Sequence, residues 1–341
     1  MQNGTRVIPY GNTVQIARIM PKISCPVLKS LFQNLPTDSR LLVAISGGVD
    51  SVSLLHAVCQ LKETLKIEVE TAHVDHGLRA ESGEDAEFVA GFAADLGLQF
   101  HLKKLGSCPN SQNVEAWARR QRYSFFKGIL SKSGLDFVIT AHHANDVAET
   151  LLMRLLSNKQ PYSIQAIEER LKVIRPLLSI SKAELERYAS FHRLNYRVDQ
   201  TNTDNRRLRN RVRNQLLPFL ECQFDGDITR ILAERAEALE QDLRLLNELT
   251  QPFVEELAKF EAGSREWLIR LRDILQEQPD PLRWRLVEEL VYAKLRFRIG
   301  QEGARRALEV ISGERVGAQL AGGLELRKKN GGLLITVIER E

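Results

Sequence analysis

The stretch LLVAISGGVDSVSLL, residues 41–55, decides the fold. An apolar, β-tolerant run ends in Ser46-Gly47-Gly48, and Asp50-Ser51 opens a second apolar run with helical spacing. Glycine permits positive φ and close backbone approach, so successive N–H groups can converge on one anion. The helix start behind them adds partial positive charge and unsatisfied donors. A tight strand-to-helix turn capped by Asp and Ser has the same local pattern. The stretch contains no GxxxxGK[ST] and no GxGxxG, so a nucleotide here would have its phosphates held in some other way.

Working outward, a strand–helix rhythm appears. IEVETAHVD, QFHLKKL and DFVITAHH read as strands. The stretches VSLLHAVCQLKETL, GEDAEFVAGFAADLG, NVEAWARRQRYSFFKGILSKSG and NDVAETLLMRLL read as helices, two of them closed by Gly97 and Gly134. Such alternation implies an α/β fold with a Rossmann-like parallel sheet, and continuously apolar strands suit a sheet covered on both faces. Ligands in these sheets sit at the strands' carboxyl ends. Those ends, SGGVDS, HVDH and AHHAND, are the most polar segments of the region. After about residue 222 the pattern turns helical, closing in a β-hairpin around Asn330-Gly331. The sequence therefore predicts a catalytic domain over 1–222, with 1–25 as an N-terminal extension, and a helical linker plus mostly helical C-terminal domain over 223–341.

At 341 residues, 43 % hydrophobic and 27 % charged, the chain can bury two cores and is not a disordered polyelectrolyte. No apolar run approaches the roughly 20 residues that span a bilayer, and the first residues do not read as a secretory signal. A cytoplasmic protein without membrane attachment is expected. Cys25, Cys59, Cys108 and Cys222 form no CxxC pair, which disfavours a disulfide framework or a structural zinc site. A formal charge of +4 does not by itself identify a nucleic-acid binder.

SGGVDS resembles the loop of the PP-loop ATP pyrophosphatases, which cleave ATP between the α- and β-phosphates. HVDHGLR (73–79), NVEAWARRQRY (113–123), TAHHANDVAETLLMRLL (140–156), IRPLL (174–178) and DQTNTDNRRLRNRVRNQLLPFL (199–220) resemble, in this order, the blocks of the bacterial tRNA(Ile)-lysidine synthase family. The resemblance implies a ligase. ATP adenylates the C2 oxygen of cytidine 34 in the CAU anticodon of tRNA(Ile), and the amine of free L-lysine then displaces AMP. It also implies ATP and Mg²⁺ as co-substrate and cofactor, and a C-terminal domain that binds tRNA; a homodimer is left open.

Carried onto this chain, the resemblance gives the phosphates to the backbone amides of Ser46, Gly47, Gly48, Val49, Asp50 and Ser51. It places Mg²⁺ on Asp50 and surrounds the nucleotide with His73, Arg119 and His142. Asp146 and Glu149, three apart on one helix face, become the clamp for the lysine ammonium and, with Asp50, the catalytic set. Those carboxylates explain binding, not activation: an amine of pKa ~10.4 is about one part in a thousand unprotonated near neutral pH, and nearby anions raise that pKa further. The proton must leave to a carboxylate or a phosphate. Arg206, Arg207, Arg209, Asn210 and Arg213 belong to a run with five arginines in eight positions. Guanidinium forks suit phosphate, so contacts to tRNA or to the reacting phosphate are expected. Tyr123 and Phe126 are candidates for base stacking, though helix aromatics more often face a core.

The chain departs from the family after the fourth helix, where LSNKQPYSIQAIEERLKVIRPLL carries no glycine. Val147 stands where Gln is frequent and Asn214 where His is, and the chain reads as a shorter form without a second C-terminal domain. The alternatives are a PP-loop tRNA thiolation enzyme, disfavoured by the lack of CxxC pairs, and a tRNA-binding relative without catalysis.

Overall fold

The computed structural model describes residues 24–75, 77, 82–106, 108, 114–157, 164–198, 207–295 and 298–337. They fall into two compact units, the described residues of Met1–Thr150 with Ile164–Arg235, and those of Leu151–Ser163 with Ala236–Glu341.

The first unit is built on a six-stranded sheet of order β3-β2-β1-β4-β6-β5. Its strands are β1 (Arg40–Ala44), β2 (Glu68–Asp75), β3 (Gln99–Lys104), β4 (Phe137–Ile139), β5 (Ile167–Glu168) and β6 (Val173–Ile174). All neighbours pair in parallel except β5, which runs antiparallel to β6. The expected four strands are present; β5 and β6 are additions of two residues each. The helices are α1 (Pro26–Asn34), α2 (Val49–Leu65), α3 (Ser82–Asp95), α4 (Val114–Ser133), α5 (Ala144–Leu155) and α6 (Lys182–Phe191). Helices α3 and α4 stop where Gly97 and Gly134 take positive φ, as a left-handed C-terminal cap requires.

Strand β1 explains why its sequence is apolar throughout. Leu41 and Val43 pack into a core with α1 and α2, while Leu42 joins Phe126 and Leu130 of α4 on the opposite face. Both faces of the strand are dry, so alternation disappears. The strand order then fixes the site. From β1 the chain moves outward through β2 and β3, then returns to lay β4 on the other side of β1. This reversal opens a crevice beyond the carboxyl ends of β1 and β4, where residues 45–51 and 140–149 emerge.

The arginine run continues as α7 (Leu208–Arg211), one π-helical turn (Val212–Leu216) and α8 (Leu217–Gln223). Pro218 has no N–H to give the α ladder, and in the turn before it the Leu217 N–H reaches the Val212 carbonyl five residues back. In the second unit, α9 (Ile228–Leu257, beginning in the first unit) is followed by α10 (Arg265–Glu277), α11 (Asp280–Leu295) and α12 (Gly300–Ser312). A three-stranded antiparallel sheet closes the chain: β7 (Gly317–Gln319), β8 (Leu324–Lys329) and β9 (Gly332–Val337). The turn between β8 and β9 is the expected Asn330-Gly331, with φ of 51° and 78°. Trp267, Leu271, Leu286, Val310 and Leu324 centre this unit's own core. Among the described residues no helix is long and apolar enough to cross a membrane.

Candidate active site

The loop after β1 is closed on itself by its two serines. The Ser51 hydroxyl donates to the Gly48 carbonyl at 3.0 Å and accepts from the Ser46 N–H at 3.1 Å, with the Ser46 hydroxyl also 3.1 Å away. The Ser46 amide is therefore engaged inside the loop. The open donors are those of the α2 start, because Val49, Asp50 and Ser51 have no intrahelical acceptor by position. Gly47 holds φ at +92°, and a Cβ there would stand 3.3 Å from Val89 Cγ2. From outside, the Arg197 N–H donates to the Gly47 carbonyl at 2.9 Å. The Arg197 guanidinium is tied to Glu84 at 2.8 Å and Asp85 at 3.4 Å, at the start of α3.

His73, near the end of β2, is buried, and its Nδ1 donates to the Ile45 carbonyl at 2.8 Å, leaving Nε2 for another partner. After β4, Thr140 Oγ1 and His142 Nδ1 lie 2.9 Å apart. Burial pushes the His142 imidazolium down to a pKa of about 4, and the Arg175, Arg122 and Arg209 charges add to this against Asp146. The ring is neutral at physiological pH. His143 behaves oppositely. It is 2 % exposed, and its Nε2 lies 3.6 Å from Asp50 Oδ2 and 3.6 Å from Asp146 Oδ2. Burial alone would lower its pKa, but the two carboxylates outweigh burial and raise it. His143 thus joins the phosphate loop to the head of α5, where its N–H donates to Asp146 Oδ2 at 3.1 Å.

Asp146 and Glu149 share one face of α5, as their spacing requires, and their partners come from the arginine run. Arg209 donates to Asp146 Oδ1 and to Glu149 Oε2, both at 2.7 Å. Arg213 donates to both Glu149 oxygens and reaches Asp146 Oδ1 at 3.3 Å. Glu149 is completely buried beneath these guanidiniums. Burial opposes ionisation of Asp146, but His143 and Arg209 outweigh it and hold the carboxyl below its usual range. The sequence assigned the acids to lysine and the arginines to phosphate; here the two sets bind one another. Asn210 is buried between them in sequence, Arg207 is exposed, and Arg206 lies outside the described residues.

Asp50 stands at the first turn of α2. Its Oδ1 is buried and accepts no hydrogen bond among the described residues. An orphaned carboxylate oxygen beside a phosphate-binding loop fits Mg²⁺, which takes one or two carboxylates and fills its shell with phosphate oxygens and water. Among the described residues no group of three or more His, Cys, Asp or Glu is arranged to hold a metal ion by itself, and Mg²⁺ bound in this way needs none.

Arg119 lies on α4 with its guanidinium 4.8 Å from the Tyr123 ring centre. Tyr123 and Phe126 are core residues, 9 % and 2 % exposed, and so are unavailable for base stacking. Sequence reasoning missed His143, Arg122, Arg175 and Arg197. The first three lay inside segments already singled out, AHHAND, NVEAWARRQRY and IRPLL. Arg175 is 4 % exposed, donates to the Gln165 carbonyl at 2.6 Å and, with Arg122, presses on His142 electrostatically. Arg197 gave no sequence signal.

A PP-loop domain family matches residues 22–220. A tRNA(Ile)-lysidine synthase of Nostoc sp. is 32 % identical over 269 residues, covering 74 % of this chain and 78 % of the relative. That of Enterococcus faecalis is 35 % identical, covering 70 % of this chain and 52 % of the relative, so the chain spans about half the length of that longer protein. Among solved structures, the U34-tRNA thiolase NcsA of Methanococcus maripaludis with its [4Fe-4S] cluster superposes with a TM-score of 0.53 at 17 % identity, over 67 % of this chain and 79 % of the thiolase. That likeness concerns the fold alone.

Proposed function

Because the chain belongs to the tRNA(Ile)-lysidine synthase family of PP-loop proteins, we propose that it uses ATP to join lysine to C2 of cytidine 34 in the CAU anticodon of tRNA(Ile), releasing AMP and pyrophosphate. One observation carries this reading: a closed phosphate loop and a buried pair of carboxylates meet at the same crevice, bridged by His143.

The α2 amides and the helix dipole hold the triphosphate with its α-phosphorus toward the crevice. Asp50, whose Oδ1 has no hydrogen-bond partner among the described residues, would hold Mg²⁺, which when bound would neutralise phosphate charge. His142, neutral at physiological pH, offers hydrogen bonding without adding cationic charge beside Arg175 and Arg122. The C2 oxygen of cytidine attacks the α-phosphorus and pyrophosphate leaves. Asp146 and Glu149 then orient the lysine ammonium. Its proton passes to a carboxylate or phosphate as the amine attacks C2, and AMP departs with the former C2 oxygen. The exposed basic residues of the arginine run and of the second unit supply phosphate contacts to tRNA.

The test is to incubate the protein with ATP, radiolabelled lysine and tRNA(Ile) bearing CAU. Label at position 34 with stoichiometric AMP and pyrophosphate is expected. Products of ADP and orthophosphate, or label that appears without tRNA, would overturn the reading.

A further inference from the structure

Every oxygen of the proposed lysine clamp already accepts a hydrogen bond from the protein. Glu149 Oε1 takes Arg213; Oε2 takes Arg209 and Arg213; Asp146 Oδ1 takes both arginines; and Asp146 Oδ2 takes the His143 N–H. Glu149 has no exposed surface, whereas Arg209 and Arg213 are 40 % and 28 % exposed. The guanidiniums therefore cover the acids. An ammonium brings three donors and a charge, but the two guanidiniums already balance and cover the two carboxylates, so a further cation gains little there while both stay in place.

We propose that Arg209 and Arg213 form a gate on the lysine site, opened by phosphate. This rests on the reading that lysine is the second substrate. A phosphate oxyanion in the adjoining crevice offers the same bidentate geometry as a carboxylate, and drawing even one guanidinium to it leaves Asp146 and Glu149 with uncompensated buried charge. Lysine ammonium then restores the balance. The exchange makes lysine affinity conditional on phosphate, and by linkage makes phosphate affinity conditional on lysine. It also keeps free lysine away from the loop until a phosphate-bearing substrate has arrived. The phosphate is either that of the nucleotide or that of the tRNA.

Equilibrium dialysis of radiolabelled lysine tests this on the full chain in four states: ligand-free, with Mg²⁺ and α,β-methylene-ATP, with tRNA(Ile), and with both. Lysine is expected to bind at least about tenfold more tightly in one or more loaded states than in the ligand-free state, and the state in which binding appears identifies the phosphate source. Arg209→Ala with Arg213→Ala should instead let lysine bind the ligand-free protein. Equal affinity in the ligand-free and loaded wild type overturns the gate, and that comparison does not depend on the variant folding. A natively folded double variant that still excludes lysine overturns it too. Lysine binding in no state at all, by contrast, sinks the functional reading itself.

Discussion

Replacing Glu149 with glutamine tests whether the acid–arginine cluster holds the arginine segment onto α5. The amide keeps the shape and one acceptor oxygen, so the change isolates the charge. Glu149 is wholly buried and accepts three hydrogen bonds from two guanidiniums. Removing one partner of a buried pair costs about 3–5 kcal/mol. Here Arg209 and Arg213 retain water contact and keep Asp146, which brings the expectation down to about 2 kcal/mol. For a unit of this size that is a fall in Tm of about 4–8 °C. Thermal unfolding followed by circular dichroism reads it directly. A double-mutant cycle with Arg213→Met should return a coupling of about 1–2 kcal/mol. Lysidine formation should fall far more than the unfolded fraction explains. A Tm unchanged within about 1 °C, with no coupling in the cycle, would refute the argument by showing the pair to be effectively solvated.

Four further outcomes follow from the site. Gly47→Ala forces an L side chain to φ +92° with its Cβ 3.3 Å from Val89, so a loss of about 1–2 kcal/mol and of ATP–pyrophosphate exchange is expected; normal exchange at wild-type Tm contradicts it. Asp50→Asn removes the orphaned charge without breaking a hydrogen bond to its Oδ1, so Mg²⁺-dependent nucleotide binding should drop about tenfold or more, and undiminished binding counts against the metal assignment. His142 has a folded pKa of about 4 against 6.5 for the unconstrained ring, so the unfolded chain takes up this proton first and stability is lost as pH falls from 6.5 towards 4. Urea titrations of His142→Asn should show a shallower loss across that window, and an identical slope rejects the depressed pKa. Arg207→Ala, at an exposed position, should weaken tRNA binding and lower the salt-dependence slope by about 1; an unaltered slope removes Arg207 from the interface.

The legible parts of the fold are those where a local physical demand leaves a residue signature. LLVAI and FVI are apolar because both sheet faces are covered, and the helix ends at Gly97 and Gly134 announce themselves because the chain needs positive φ there. Asn330-Gly331 is readable for the same reason, since both residues of a type I′ turn need it. Strands β5 and β6 are invisible because two residues cannot express a period of two. The π turn at Val212–Leu216 lies immediately before the helix that carries Pro218, but the proline alone does not say whether a helix will break, kink or slip its register.

In the site, the phosphate loop and the Asp146–Glu149 face were legible because each is a local pattern. What joins them was not, because Arg209 meets Glu149 across sixty residues of chain and no spacing rule reaches that far. Residue chemistry could not choose either, since a guanidinium fork fits carboxylate and phosphate equally well. The run of arginines also proves not to be one object. Helical spacing of four sets Arg209 and Arg213 on one face and Arg207 and Arg211 on another. The first pair turns inward onto the acids, and the second stands exposed. Among the described arginines of the run, Arg207 and Arg211 are the pair not engaged by the Asp146 and Glu149 carboxylates and so open to a polyanion. The inward pair becomes available to phosphate only by giving up the carboxylates, so tRNA or nucleotide contacts made by Arg209 and Arg213 must carry the cost of uncovering Asp146 and Glu149 unless lysine takes their place.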